Sequence, residues 1–161
     1  MSAGVENYRK PYLDSSVLIG WLKRERIGDI DRGAIGDHLL RAAERGEYLI
    51  TVSALTLAEV HKVPRSGAAA LSADEDERIL AFLENDYFEV VPVDRQIGEE
   101  ANRLCRSHSL HPNDAIHLAS ALRARCDVLL AWDRPLVRAQ HPQIRIEEPR
   151  ILGQSEIDFR S

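Results

Sequence analysis

Four short β-prone runs, at residues 10–13, 48–52, 88–93 and 128–131, are separated by stretches whose apolar residues recur at helical spacing. This alternation constrains the fold more than any other feature of the chain. Strands joined through helices pair in parallel, because a parallel pair needs a long crossover. The pattern therefore predicts an α/β fold, a three-layer α/β/α sandwich with a central, mainly parallel sheet. A short fifth strand is expected at an edge, at residues 144–147. Right-handed crossovers bring the C-terminal ends of successive strands to one edge of the sheet, where ligands bind in open α/β folds.

The helical stretches carry their own punctuation. Ser15, Leu18, Ile19 and Leu22 form one stripe, with Ser15 or Ser16 as the expected cap. After a turn at residues 28–33, Ile35, Leu39, Ala42 and Ala43 form a second stripe, which Gly46 stops. Ser53 caps a helix carrying Glu59, and Thr56 lies one turn before that acid on the same face. Ser72 and Glu75 have capping-box spacing ahead of Ile79, Phe82 and Leu83. Asp94 opens a stripe of Ile97, Ala101, Leu104 and Cys105, and Asn113 is the expected cap before Ala115, Leu118, Ala119 and Leu122. Residues 64–73 read as a mobile loop and the chain after Pro149 as a loosely held polar tail.

At 161 residues the chain is expected to form a single domain, 1–161, with its core at about 10–148. No apolar run approaches the roughly 18 residues of a membrane span, and residues 1–10 lack a signal-like apolar segment, so a cytoplasmic protein with no membrane association is expected. Cys105 and Cys126 have no CxxC spacing and read as free thiols. A net charge of -5 argues against a generic nucleic-acid coat protein. It leaves room for a nucleic-acid enzyme, with Arg24, Arg26, Arg65, Arg134 and Arg138 as phosphate contacts, Arg134 foremost.

Asp14 follows the first apolar run, Glu59 the second, and Asp133 the fourth, while Asp114 lies in the first turn of a helix. Each has an ordinary reading: a cap for Asp14, a solvated helix residue for Glu59, a dipole partner for Asp114 and a turn residue for Asp133. Together on one sheet edge, four carboxylates repel and persist only with protons or a cation to offset them. Hard oxygen ligands favour Mg²⁺ or Mn²⁺, and no Cys/His cluster suggests zinc. Mg²⁺ combines one or two carboxylates with phosphate oxygens, which suits phosphodiester hydrolysis by metal-activated water. His117 reads as a structural histidine, and Trp21 and Trp132 as packing residues.

Four segments taken together carry a resemblance: Leu13-Asp14-Ser15-Ser16-Val17-Leu18-Ile19, Ser53-Ala54-Leu55-Thr56-Leu57-Ala58-Glu59-Val60, Asn113-Asp114-Ala115-Ile116-His117-Leu118-Ala119 and Leu129-Leu130-Ala131-Trp132-Asp133. In order and spacing the chain resembles a PIN-domain nuclease, and within that family the VapC-type toxins of toxin–antitoxin pairs. The resemblance implies an Mg²⁺- or Mn²⁺-dependent endoribonuclease acting on RNA. Asp14, Glu59, Asp114 and Asp133 would be the metal-binding residues, and Ser16 would orient the first acid, a water or the substrate. It also implies a homodimer restrained by a cognate antitoxin. One position departs from the family pattern, because Ala131 stands where a Thr or Ser is common. Two other readings compete: a PIN-like module that binds RNA or protein without cutting, and a phosphatase. The second lacks its second Asp, since Ser16 occupies that place.

Overall fold

The structure, a computed structural model, describes residues 7–61 and 72–151. Most of the loop expected at 64–73, and the tail from residue 152, lie outside the described residues. The elements run β1 (Pro11–Leu13), α1 (Ser15–Leu22), β2 (Arg26–Ile27), β3 (Ile30–Asp31), α2 (Arg32–Glu44), β4 (Ile50–Ser53) and α3 (Ala54–Glu59). They continue with α4 (Ala73–Phe82), β5 (Phe88–Val91), α5 (Arg95–His108), α6 (Pro112–Arg123), β6 (Val128–Leu130), α7 (Arg134–Ala139) and β7 (Arg145–Glu147). Five strands form one parallel sheet in the order β5-β4-β1-β6-β7, and β2 and β3 form a separate antiparallel hairpin.

The first strand in sequence is thus the middle strand in space. All of β1 is buried, as a central parallel strand covered on both faces must be. Side chains alternate across the sheet. Leu13 and Leu130 enter a core with residues of α1, α2 and α4, while Tyr12 and Leu129 enter a second core with residues of α5, α6 and α7. The two cores make the three layers. Register is fixed by Tyr12 opposite Thr51 on one side and Leu129 on the other.

Most expected boundaries hold, and the exceptions have local causes. Asp14, rather than Ser15 or Ser16, is the cap of α1, because its carboxylate accepts the Ser16 backbone N–H. Asn113 lies inside α6, which begins at Pro112 with His111 as its cap. Proline suits a first helical turn, since its missing N–H would have had no partner there. The stretch 28–33 is a tight hairpin turn followed at once by α2, capped by the Asp31 carboxylate on the Ala34 N–H. Asp133, whose ordinary reading is a turn residue, stands at the N-cap of the short helix α7, which opens at Arg134-Pro135. Gly46, at φ 81°, ends α2 as expected.

Helices α1 and α2 pack closely through a missing side chain. A Cβ at Gly36 would stand 2.5 Å from Trp21 Cβ. The Trp21 indole N–H donates to Asp37 Oδ1 at 2.8 Å and fixes the ring over that gap. Gly36→Ala gains up to about 1 kcal/mol in helix propensity. It must also push two packed helices apart, which costs about 1–3 kcal/mol. Urea unfolding of Gly36→Ala is expected to show a net loss of stability, whereas a gain would mean that α1 and α2 do not meet here.

Candidate functional site

The connections out of β1 lead to β4 on one side, while β6 arrives on the other, so the winding of the sheet reverses at β1. A crevice opens beyond the strand ends at such a point. Asp14 extends β1 by one step, its backbone N–H donating to Leu130 O at 2.9 Å. Around it lies a cleft of about 350 Å³ whose walls include Asp14, Ser16, Glu59, Asp114 and Asp133. All five residues singled out from the sequence meet there. Arg32 and Trp132 complete the wall toward α2.

Ser16 ties two of the motifs together. Its hydroxyl donates to Asp14 Oδ2 at 2.6 Å and accepts the Trp132 backbone N–H at 3.0 Å. The Ser16 backbone N–H reaches the same carboxylate oxygen at 3.2 Å. Asp14 is only 4% exposed, so these bonds offset part of the cost of burying its charge. Ala131, without a hydroxyl, is wholly buried in the core shared with α5, α6 and α7.

Glu59 ends α3, and its Oε1 lies 2.5 Å from His117 Nε2. The same nitrogen lies 3.5 Å from Asp14 Oδ1. Burial pushes the imidazole's pKa down, but the Glu59 bond and the charges of Asp14, Glu59 and Asp114 outweigh it and leave the pKa raised. Asp114 is half-buried, and its carboxyl is pushed up to about 6 by burial, by the charges of Asp133 and Asp14, and by hydrogen bonding to Asp133. Burial is the largest cause of that rise, and the crowding of like charges in the cleft adds to it. Thr56 is fully buried with its hydroxyl unpartnered and is not part of the cleft wall.

A hard, all-oxygen donor set of four carboxylates and one hydroxyl fits a divalent cation of the Mg²⁺ type. Among the described residues, no three His, Cys, Asp or Glu side chains are already gathered into a ligating cluster.

The cleft also holds one cation that the sequence did not mark. The Arg32 guanidinium pairs with Glu25 at 3.1 Å and stacks over the Trp132 ring, 4.8 Å from its centroid. Its position follows from Asp31 capping α2, which puts Arg32 first in that helix, and no spacing in the sequence announces this. Of the arginines expected at phosphates, Arg24 and Arg26 pair with Asp37 and Asp31, Arg134 is exposed outside the cleft wall, and Arg65 lies outside the described residues.

A PIN domain family model matches residues 12–141. No curated protein matches the sequence. Solved structures do match. A toxin–antitoxin complex from Klebsiella pneumoniae aligns at TM-score 0.57 and 22% identity, over 83% of this chain and 94% of that one. VapC20 of Mycobacterium tuberculosis, described as a sarcin–ricin loop cleaving toxin, aligns at TM-score 0.59 and 17% identity, over 84% and 98%. VapBC2 of Rickettsia felis, bound to a promoter DNA fragment, aligns at TM-score 0.59 and 14% identity, over 88% and 99%. At these identities the likeness is one of fold.

A cation bound only by the folded cleft must stabilise it. At one hundred times the dissociation constant the gain is about 2.7 kcal/mol, which for a chain of this length is a rise of roughly 5–10 °C in Tm. Millimolar Mn²⁺ is expected to raise the melting temperature and Asp114→Asn to reduce that rise. A Tm indifferent to Mn²⁺ would contradict a cation pocket.

Proposed function

The chain belongs to the PIN domain family, and from that premise we propose that it is an Mg²⁺- or Mn²⁺-dependent endoribonuclease, the toxin of a toxin–antitoxin pair. The observation that carries this reading is the convergence of Asp14, Glu59, Asp114 and Asp133, with Ser16, on one cleft at the sheet's C-terminal edge. The cognate antitoxin as partner is supported by structural neighbours described as toxin–antitoxin complexes. RNA as substrate is supported by a neighbour described as a sarcin–ricin loop cleaving toxin. The homodimer rests on the family resemblance, and the cytoplasmic setting on the lack of a signal-like start or membrane-length apolar run in the sequence. Among the described residues, no helix is long and apolar enough to cross a membrane.

In this reading Asp14, Glu59, Asp114 and Asp133 would hold the cation, whose chemistry there would be to activate water and to offset charge on the scissile phosphate. The chain's own residues do the rest. Ser16 keeps the Asp14 carboxylate turned toward the cleft through its 2.6 Å bond. Asp114, its carboxyl pushed up to about 6 by burial and by its acidic neighbours, would release its proton to solvent as the cation bound. Arg32, on the wall toward α2, offers a phosphate the only guanidinium that lines the cleft among the described residues. Its stacking on Trp132 holds the fork in place.

Purified protein is expected to cut single-stranded RNA with Mg²⁺ or Mn²⁺ and to stop when EDTA is added. Asp14→Asn is expected to abolish cleavage with the fold retained by circular dichroism. Cleavage that survives in Asp14→Asn, with contaminating nuclease excluded, would place the chemistry elsewhere. Arg32→Ala removes one charge-assisted contact, of about 1.5–3 kcal/mol, so the KM for RNA is expected to rise roughly 10- to 100-fold. An unchanged KM would remove Arg32 from the substrate path.

A further inference from the structure

His117 is more than a core histidine. It lies three residues after Asp114 on α6, is 1% exposed, and each of its ring nitrogens meets a side chain. Nδ1 lies 2.6 Å from the hydroxyl of Tyr12. Nε2 lies 2.5 Å from Glu59 Oε1 and 3.5 Å from Asp14 Oδ1. A nitrogen facing two carboxylates carries its hydrogen, so Nε2 donates to Glu59, and the phenol hydroxyl serves the other side of the ring. Tyr12 itself is wholly buried in the middle of β1, its ring edge-on to the imidazole at 5.8 Å between centroids.

We propose that His117 is a positioning residue for the cleft: anchored by Tyr12 to the central strand, it holds Glu59 in the orientation that lets this acid and Asp14 share one divalent cation. The proposal rests on reading the cleft as a metal-dependent ribonuclease site. Its physical basis is the freedom of Glu59. A glutamate at the end of a six-residue helix has three side-chain torsions to fix, and fixing them costs entropy that a cation would otherwise have to repay. The imidazole bond fixes them in advance and occupies Oε1, which leaves the second oxygen to accept from a cation or its water. A ligating carboxylate that is itself hydrogen-bonded to a fixed group is the usual arrangement around bound metals. A histidine that merely filled the core would be satisfied by backbone partners. Here the bonds run from the central strand to an acid of the site.

The test is Mn²⁺ affinity of the full chain, read from the electron paramagnetic resonance signal of free aqueous Mn²⁺, together with single-turnover RNA cleavage and thermal melts. His117→Leu is expected to lose about 10- to 100-fold in Mn²⁺ affinity. His117→Gln, whose amide places an N–H near the Nε2 position, is expected to recover most of that loss. Tyr12→Phe removes only the anchoring hydroxyl and is expected to weaken Mn²⁺ binding by a smaller factor. At saturating Mn²⁺, kcat is expected to fall in His117→Leu with the KM for RNA unchanged. Variants that melt lower yet bind Mn²⁺ as the unmodified chain does would reduce His117 to a packing residue and overturn the proposal. Should His117→Leu fail to fold, Tyr12→Phe decides alone: unchanged affinity overturns the proposal, weakened affinity supports it. If the unmodified chain binds no Mn²⁺, the ribonuclease reading falls and this proposal falls with it.

Discussion

Like charges forced together at the end of β1 are the constraint on which the rest of this structure depends. Asp14 is buried at the point where the sheet changes winding direction, and Asp114 is pushed up to about 6 by burial and by its acidic neighbours. Left to themselves such carboxylates would move apart or take up protons. Instead each of two is fixed by a named group: Asp14 by Ser16, and Glu59 by His117. These bonds work against the repulsion. Under the proposed reading, a fold that holds these acids together would have the site ready for a cation, and the raised Asp114 carboxyl reflects burial first and its acidic neighbours second.

Topology explains why the acids can come from such distant parts of the chain. Asp14 and Asp133 follow adjacent strands, Glu59 ends the helix that begins directly after β4, and Asp114 sits in the first turn of α6, which packs against the sheet. Parallel pairing puts every strand's C-terminal end on the same edge. The Ser16 hydroxyl then joins the end of β1 to the backbone just beyond β6 at Trp132. Loss of that bridge would disturb two acids at once, Asp14 directly and Asp133 through its neighbour.

Much of this was legible in the sequence because it follows from periodicity. Alternating strands and helices point to a parallel sheet, and the apolar runs ahead of Asp14, Glu59 and Asp133 put those three acids toward one edge, with Asp114 at a helix start. The edge strand β7 was legible for the same reason. What escaped was local or relational. Asn113 looks like a cap by residue type, yet Pro112 takes the first helical position, and His111 precedes it. The Arg134-Pro135 step has turn chemistry and helix-start chemistry alike, and only packing of Leu136 into the core distinguishes them. His117 was visible as a buried histidine, but its partners Tyr12 and Glu59 lie 105 and 58 residues away, beyond the reach of any pattern within one helix.

The same relational information bears on how, under the proposed function, an acidic chain would address a polyanion. A net charge of -5 and a cleft lined by four carboxylates oppose an RNA backbone. A divalent cation reverses the sign at the reacting phosphate, but only within a few ångströms. Arg32 would extend that favourable region along the cleft wall, where it pairs with Glu25 and stacks over the Trp132 ring. An arginine free to reach Asp14 or Asp114 would neutralise the site and compete with the cation. Under the proposed function, acids and guanidinium in one cleft would engage different parts of a phosphodiester, the acids through a cation and Arg32 through a non-bridging oxygen.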